Sequence, residues 1–469
     1  MLGLAVGLAG CAGPEPARNL VLISLDTVRR DHVSAYGYER ETTPAIDALA
    51  ARGAVFETAV SQQTNTNPSH GSMLTGLYPH QHGSLFNRFP VAEEQVTLAE
   101  LLRDAGFRTG GFVSGLPLKR PLTGLEQGFE RFDDRFEEQR RDGRETVGRA
   151  LEWLETVEPG ERFFLFLHLY DAHGPYELPE GIGHRFRSED RGPRLPRVPP
   201  YQRLERPGGG RIVHLGPYVD RYDSLIRYQD DQVARLFDRL AAGGMAPDET
   251  VIVVLSDHGE VLGERYWPLD HGATAFDEEL RIPLIVAGPG IEPRRIGETV
   301  ETVDLLPTVL ELLAVEPGDP DPAGAPAGDR GSLPGRSLVP LLHGEEGSDA
   351  ARPAYSCSRA ETRRMADRGY RLEDLALIRS VRTRGWKLIR YPAEEGEPYV
   401  ELYDLRRDPG ETTDVADRHP EVRDRLLAGL EAWWSPPAPS GPVPTELPET
   451  IQRQLRSLGY LGGPADGTR

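Results

Sequence analysis

Three long apolar runs in this chain each end on acidic or imidazole side chains, and that recurrence limits the fold more than any other feature. "NLVLISLD" closes on Asp26, "RFFLFLHLYDAH" on Asp171 and His173, and "ETVIVVLSDHGE" on Asp257 and His258. Continuous β-branched and apolar runs of this length read as strands covered on both faces. Between them the period changes. "TPAIDALAARG" and "GRALEWLETV" read as amphipathic helices, "TLAELLRDAGFRTGGFVSG" as a helix followed by a strand, and "VDLLPTVLELLAV" as a helix. "AVFETAVS" and "IPLIVAGPG" add further strands. Strands alternating with helices predict an α/β architecture, with a largely parallel central sheet between helical layers. In such sheets ligands collect at the carboxyl ends of the strands, where all three polar termini fall.

A chain of 469 residues exceeds one ordinary core, so a second, smaller unit is expected. "LALIRSVRTRGWKLIRY" and "YVELYDL" predict antiparallel strands there, with "PEVRDRLLAGLEAWW" as the helix packed on them. The expected organisation is a signal and linker over 1–18, a catalytic domain over 19–345, a C-terminal subdomain over 346–435 and a Pro-rich tail over 436–469. That tail ends in "IQRQLRSLGYLGG", a possible final helix. Residues 178–217, rich in Arg, Pro and Gly, read as a surface insertion framing the mouth of the site. Acidic residues outnumber basic ones 74 to 54, for a net charge of −20, which repels phosphate backbones and argues against nucleic acid as a partner. A bound cation reverses that potential inside a pocket.

The opening stretch, "MLGLAVGLAGCAGPEPARN", reads as a short apolar run ending at Cys11, followed by a flexible linker. This resembles a bacterial lipoprotein signal, although no Lys or Arg precedes the run. The expectation is a periplasmic, or else secreted, protein held at the membrane only by a lipid on Cys11. If Cys11 is acylated, Cys357 alone remains and no disulfide forms within the chain.

The stretch "TNTNPSHGSMLTGLYPHQHG", residues 64–83, contributes a hydroxyl at Thr66. Asp26, Asp257, His258 and the Thr66 oxygen together have the composition of a site for one divalent ion, which lowers the pKa of the nucleophile it touches. Singly, each has an ordinary explanation: a carboxylate capping a helix, a threonine starting a turn, a histidine bonded to the backbone. Together they point to a metal. Mixed nitrogen and oxygen ligands favour Zn²⁺ or Mn²⁺, with Ca²⁺ or Mg²⁺ left open. His173 and His271 are candidates to bind ester oxygens or protonate the leaving group, although His271 reads almost as well as a loop histidine. Asp171 is placed to orient one of them or to join a second ion. His80 and His82 read as structural, and Lys119 with Arg120 as a solvated pair of charges.

On these motifs the chain resembles the sulfatase family of the alkaline-phosphatase-like superfamily. The likeness is carried by "LISLDTVRRDHVSAYGY", "TNPSHGSMLTG", "HLYDAHGPY", "LSDHGEVLGE", "HGATAFDEELRIPLIVAGPG" and "ELYDLRRDPGETTDVAD", in that order. The resemblance implies a three-layer α/β domain with a smaller C-terminal antiparallel sheet, and transfer of a sulfuryl or phosphoryl group through a covalent enzyme ester. Sulfate-hydrolysing members carry Cys or Ser, oxidised to formylglycine, in a motif that continues x-Pro-x-Arg. Here the aligned positions are Thr66 and His70, so no formylglycine is expected, Thr66 becomes the nucleophile, and His70 takes the arginine's place in catalysis. The Lys and His of the family's "GKWHLG" stretch have no counterpart near residues 112–117, and Thr27 replaces the second Asp of the usual pair. The shell that remains resembles that of superfamily phosphodiesterases and of phosphoethanolamine or glycerophosphate transferases. The expected activity is metal-dependent hydrolysis of a sulfate or phosphate ester on a small molecule, glycan or lipid headgroup. A transferase, or a degenerate binder of sulfated glycans, are the alternatives.

Overall fold

The computed structural model describes residues 16–188, 191–205, 209–243, 245, 249–265, 268–316, 333–345, 352–359, 377–392, 398–442 and 447–457. Cys11 and its apolar run lie outside the described residues. The central sheet contains β1 (Asn19–Leu25), β2 (Ala54–Val60), β3 (Phe107–Phe112), β4 (Arg131–Asp133), β5 (Arg162–Leu169), β6 (Thr250–Leu255), β7 (Arg281–Ile282), β8 (Leu284–Ala287) and β9 (Arg294–Glu301). Their order is β4-β3-β5-β1-β6-β8-β2-β7, with β9 beside β2.

Register explains why the polar strand ends meet. β1 runs parallel to β5 and β6, with Leu25 opposite Leu169 and Ser24 opposite Leu255. Asp26, the segment Asp171–His173 and the pair Asp257–His258 therefore leave the sheet at the same edge. All seven residues of β1 and all six of β6 are buried, as their apolar runs predict. The sheet is largely parallel as expected, but β8 runs antiparallel to both β6 and β2.

A second sheet of β10 (Ala354–Arg359), β11 (Leu377–Arg382), β12 (Trp386–Tyr391) and β13 (Tyr399–Asp404) is antiparallel throughout. Leu426 and Leu430 of the Pro420–Trp433 helix pack on its Val381, Leu388 and Leu402. Its edge is stitched to the loop that leads into Thr66. Cys357 donates its N–H to Gln62 O at 2.9 Å, and the hydroxyls of Ser358 and Thr64 meet at 2.6 Å. Cys357 is a buried free thiol, pushed up to about 12 by that burial and so chemically quiet.

One long helix, Gly216–Ala242, was not read from the sequence, although Tyr218, Tyr222, Leu225, Ile226, Val233, Leu236 and Leu240 recur at helical spacing on its buried side. The same side also buries Asp220, Asp223, Gln229 and Asp230. Those carboxylates are used. Asp223 accepts from Tyr38 and Arg40 and pairs with His32, while Asp230 accepts the N–H groups of Ala45 and Ile46 at the start of the Pro44–Ala50 helix. The insertion expected over 178–217 contains a short helical turn, Pro200–Gln202, and isolated bridges of Arg194 to His214 and Glu205 to Arg211, and its last two residues already begin the Gly216–Ala242 helix. Among the described residues no helix is long and apolar enough to cross a membrane.

Lys387 on β12 joins the two sheets' environments. Its side chain is almost fully buried, with Nζ 2.8 Å from Asp277 and 3.0 Å from Glu411. Glu411 holds a left-handed φ of 52° and accepts the Asp277 N–H at 2.6 Å. Removing one partner from a buried ionic cluster leaves uncompensated charge, at a cost of about 3–5 kcal/mol. Lys387→Ala is therefore expected to lower the denaturant midpoint sharply without changing the slope of the transition. A midpoint equal to wild type would show that the cluster is not what fixes this junction.

Candidate metal and nucleophile site

Asp26, Asp257 and His258 are buried, and one ligand-competent atom from each lies within 4.8 Å of the others. Each is held by its outer atoms so that an inner one stays open. Asp257 Oδ1 accepts the backbone N–H groups of Thr27 and His258 at 3.1 and 2.9 Å, and its Oδ2 has no hydrogen-bond partner. His258 Nδ1 donates to Gly259 O at 2.9 Å, which fixes the tautomer and leaves Nε2 as an unpartnered lone pair. Asp26 Oδ2 lies 3.0 Å from His168 Nε2, and Oδ1 is unpartnered. Thr27, where the sequence lacks the second Asp of the pair, contributes its backbone instead. It holds a left-handed φ of 57°, costly for a β-branched residue, and in that conformation its N–H reaches Asp257.

Electrostatics sharpen the arrangement. Burial and the neighbouring Asp257 push the Asp26 carboxyl well above the usual range. Asp257 is itself held low, the imidazoles of His258, His70 and His168 outweighing its burial. Burial brings His258 down to about 4, so its ring is neutral at physiological pH. Two buried acids and one neutral imidazole close together, with the Thr66 side chain beside Asp26, are the donor chemistry of a divalent cation.

Thr66 is the first residue of the Thr66–Thr75 helix, and its buried Oγ1 has no hydrogen-bond partner. Every residue of that helix is buried, although most are polar, so their polar groups must be satisfied internally. Ser69 Oγ donates to Asp257 O at 2.7 Å, tying the helix to the polar end of β6. Thr75 Oγ1 donates to Gly71 O, and Ser72 Oγ meets His82 Nε2 at 3.2 Å. A Cβ on Gly71 would stand 2.8 Å from the His82 ring, so only glycine admits that contact. His82 is structural as the sequence suggested, and His80 packs among Tyr78, Trp433 and Trp434.

Other expected residues divide. His70 differs from its sequence-based role: Nδ1 contacts Thr66 O at 2.7 Å and Nε2 contacts Ser24 Oγ at 2.8 Å, so both nitrogens hold the loop and neither is open to substrate. His173 bonds Gly174 O through Nδ1 and leaves Nε2 buried and unpartnered. Its ring lies 4.8 Å from that of His271, which lies 4.6 Å from that of His258, so three imidazoles run in a row from the carboxylates. His271 contacts Glu260 Oε1 at 3.2 Å; burial opposes its charge, but Glu260 prevails and raises it to about 9. Asp171 Oδ1 accepts the Gly143 N–H at 3.0 Å at the start of the Gly143–Leu154 helix, its Oδ2 is buried without a partner, and it lies outside the Asp26–Asp257–His258 group. Lys119 donates to Phe136 O, while Arg120 is exposed as the sequence suggested but is also paired with Asp134. His168 was missed, because one histidine inside an apolar run reads as core.

The comparisons with known proteins agree with this geometry. The family model described as Sulfatase matches residues 18–315, well over half of the chain. A Δ4,5-hexuronate-2-O-sulfatase of Bacteroides thetaiotaomicron is 25% identical over 461 residues, covering 88% of each chain. A phosphonate monoester hydrolase of Agrobacterium radiobacter superposes with a TM-score of 0.68 at 21% identity, covering 89% of this chain and 96% of that one. A structure bound to D-glucosamine-2-N,6-O-disulfate gives a TM-score of 0.70 at 20% identity, covering 89% and 97%. The match along the catalytic domain, on a sheet that brings its polar strand ends to one edge, makes this chain a member of the sulfatase family within the alkaline-phosphatase-like superfamily, and a sulfatase-like ester hydrolase.

Proposed function

We propose that this enzyme hydrolyses a sulfate ester, with phosphate and phosphonate esters as related substrates, by passing the transferred group through a covalent ester on Thr66. The observation that carries the reading is one set of four buried atoms without hydrogen-bond partners: Asp26 Oδ1, Asp257 Oδ2, His258 Nε2 and Thr66 Oγ1. A structural site would have satisfied them. They would hold one divalent ion, with Zn²⁺ or Mn²⁺ suiting the mixed donors and Ca²⁺ or Mg²⁺ also compatible. When bound, that ion supplies the positive charge that offsets the two carboxylates and favours an ionised hydroxyl beside it.

The chain's own groups take the remaining roles. Thr66 Oγ forms the new bond to sulfur or phosphorus as the bond to the leaving alcohol breaks. His271, kept cationic by Glu260, holds the anionic ester oxygens and gives the departing oxygen its proton. His173, neutral with an open Nε2, accepts a hydrogen bond or a proton from the water that later hydrolyses the Thr66 ester. Relatives that act on sulfated sugars support a sulfated glycan as substrate, and the net charge of −20 argues against nucleic acid. The Asp, Thr, Asp and His donor set also suits phosphodiester cleavage or phosphoethanolamine-type transfer. A purely binding descendant is disfavoured, since it has no use for an open hydroxyl beside paired carboxylates. Tethering through Cys11 in the periplasm completes the reading.

Thr66→Ala is expected to lower turnover by roughly 10³-fold or more, as loss of a nucleophile does, while Thr66→Ser keeps part of it. Mass spectrometry of quenched enzyme should find the sulfuryl or phosphoryl adduct on the Thr66 peptide and no oxidised residue there. Wild-type turnover in Thr66→Ala would make the residue structural.

The metal assignment has a separate readout in stability. Zn²⁺ or Mn²⁺ added to chelator-treated wild type should raise its melting temperature. Asp26→Asn should gain little from the ions, yet should melt at or above the metal-free wild type, because it relieves the buried carboxylate pair. Equal metal-induced shifts in the two proteins would remove Asp26 from the ligand set.

A further inference from the structure

The transferred group carries several negative oxygens, and apart from His271 the basic side chains named so far are engaged elsewhere. His70 spends both nitrogens on Ser24 and Thr66, Lys119 donates to Phe136 O, and Arg120 is paired with Asp134. The turn wrapping the start of the Thr66–Thr75 helix offers donors that nothing uses. Asn87 is only 7% exposed, and its Oδ1 accepts the Asn67 N–H at 2.8 Å, which places the amide on the first helical turn next to Thr66. Its Nδ2 is buried without a partner.

Arg88 follows directly. It holds a left-handed φ of 79°, unusual for a residue with a Cβ. The turn is pinned on the far side too, where Phe89 O accepts Asn67 Nδ2 at 3.0 Å. Arg88 is half-buried, its Nε is enclosed and unpartnered, and among the described residues it makes no hydrogen bond or ion pair. Acidic residues outnumber basic ones 74 to 54, and most arginines around the site are paired. A half-buried guanidinium with no carboxylate and an enclosed, unpartnered Nε is therefore a group available to an anion. The field of a helix start favours the same ligand.

We propose that Asn87 Nδ2 and the Arg88 guanidinium bind the negatively charged oxygens of the transferred sulfuryl or phosphoryl group beside Thr66. Arg88 thereby supplies the cation that His70, at the family's arginine position, does not. This deepens the functional reading above and rests on it for the place where the group is received.

Anion binding tests the proposal without turnover. Inorganic sulfate and inorganic phosphate are titrated by calorimetry into the full, metal-loaded chain. Asn87→Asp keeps an oxygen to accept the Asn67 N–H and replaces the open donor with a negative oxygen. Arg88→Gln removes the charge. Each is expected to weaken the anion that wild type binds by roughly tenfold or more, as loss of a charge-assisted hydrogen bond does, at an unchanged melting temperature. Arg88→Lys should fall between Arg88→Gln and wild type. Wild-type affinity in both Asn87→Asp and Arg88→Gln overturns the proposal, as does a wild type that binds neither anion at millimolar concentration. It also fails if Arg88→Gln weakens only a doubly sulfated sugar and leaves the inorganic ions untouched, since Arg88 would then read a distant substituent. Should Thr66→Ala keep full turnover while Arg88→Gln loses anion binding, the covalent reading falls and this one stands.

Discussion

Two carboxylates that share a dry pocket set the terms for the rest of this protein. Asp26 and Asp257 stand at adjacent strand ends with no lysine or arginine paired to either among the described residues. Like charges at such separation in a low-dielectric interior repel by several kcal/mol or more, and burial alone already disfavours ionising either. The fold holds them there through backbone that cannot easily relax. The parallel register of β1 and β6 brings the two strand ends together, Thr27 accepts a strained φ to bond Asp257, and His168 fixes Asp26 from β5. A site assembled at that cost, with three ligand-competent atoms close together, has the composition that suits a cation.

The same constraint accounts for the polar helix at the centre of the molecule. A buried helix of Thr, Asn, Ser and His is a poor hydrophobic element, yet Thr66–Thr75 packs beside the sheet with its side chains tied to Asp257 O, Ser24, Ser84 and His82. Its approach loop is held by β10 of the smaller sheet, and the start of the Asp277–Leu280 helix, which follows His271 in the chain, is held by Glu411 and Lys387. Glu411 of the C-terminal motif "ELYDLRRDPGETTDVAD" thus acts at a distance from the open atoms, by fixing the backbone at Asp277.

What the sequence made legible follows from which forces are local. Strands buried on both faces are continuous apolar runs, so β1, β5 and β6 and their polar ends were readable, and with them Asp26, Asp257 and His258. Thr66 was readable through the motif around it. Long-range pairing was not. Nothing near Asp223 or Asp230 announces that they satisfy Arg40 and the amides of Ala45 and Ile46, and these buried carboxylates masked the apolar stripe of the helix that carries them. His168 was hidden by its apolar neighbours, and the position of His70 within a motif suggested substrate contact where the structure gives it Ser24 and a backbone carbonyl. Arg88 lies in no motif, and its lack of a partner is visible only in three dimensions.

Anomalous diffraction from crystals soaked with Mn²⁺ or Zn²⁺ and measured at the metal's absorption edge tests the central claim most directly. The account predicts one strong peak within about 2.0–2.6 Å of Asp26 Oδ1, Asp257 Oδ2, His258 Nε2 and Thr66 Oγ1 together. A fully active enzyme whose only anomalous peak lies away from these four atoms would contradict it.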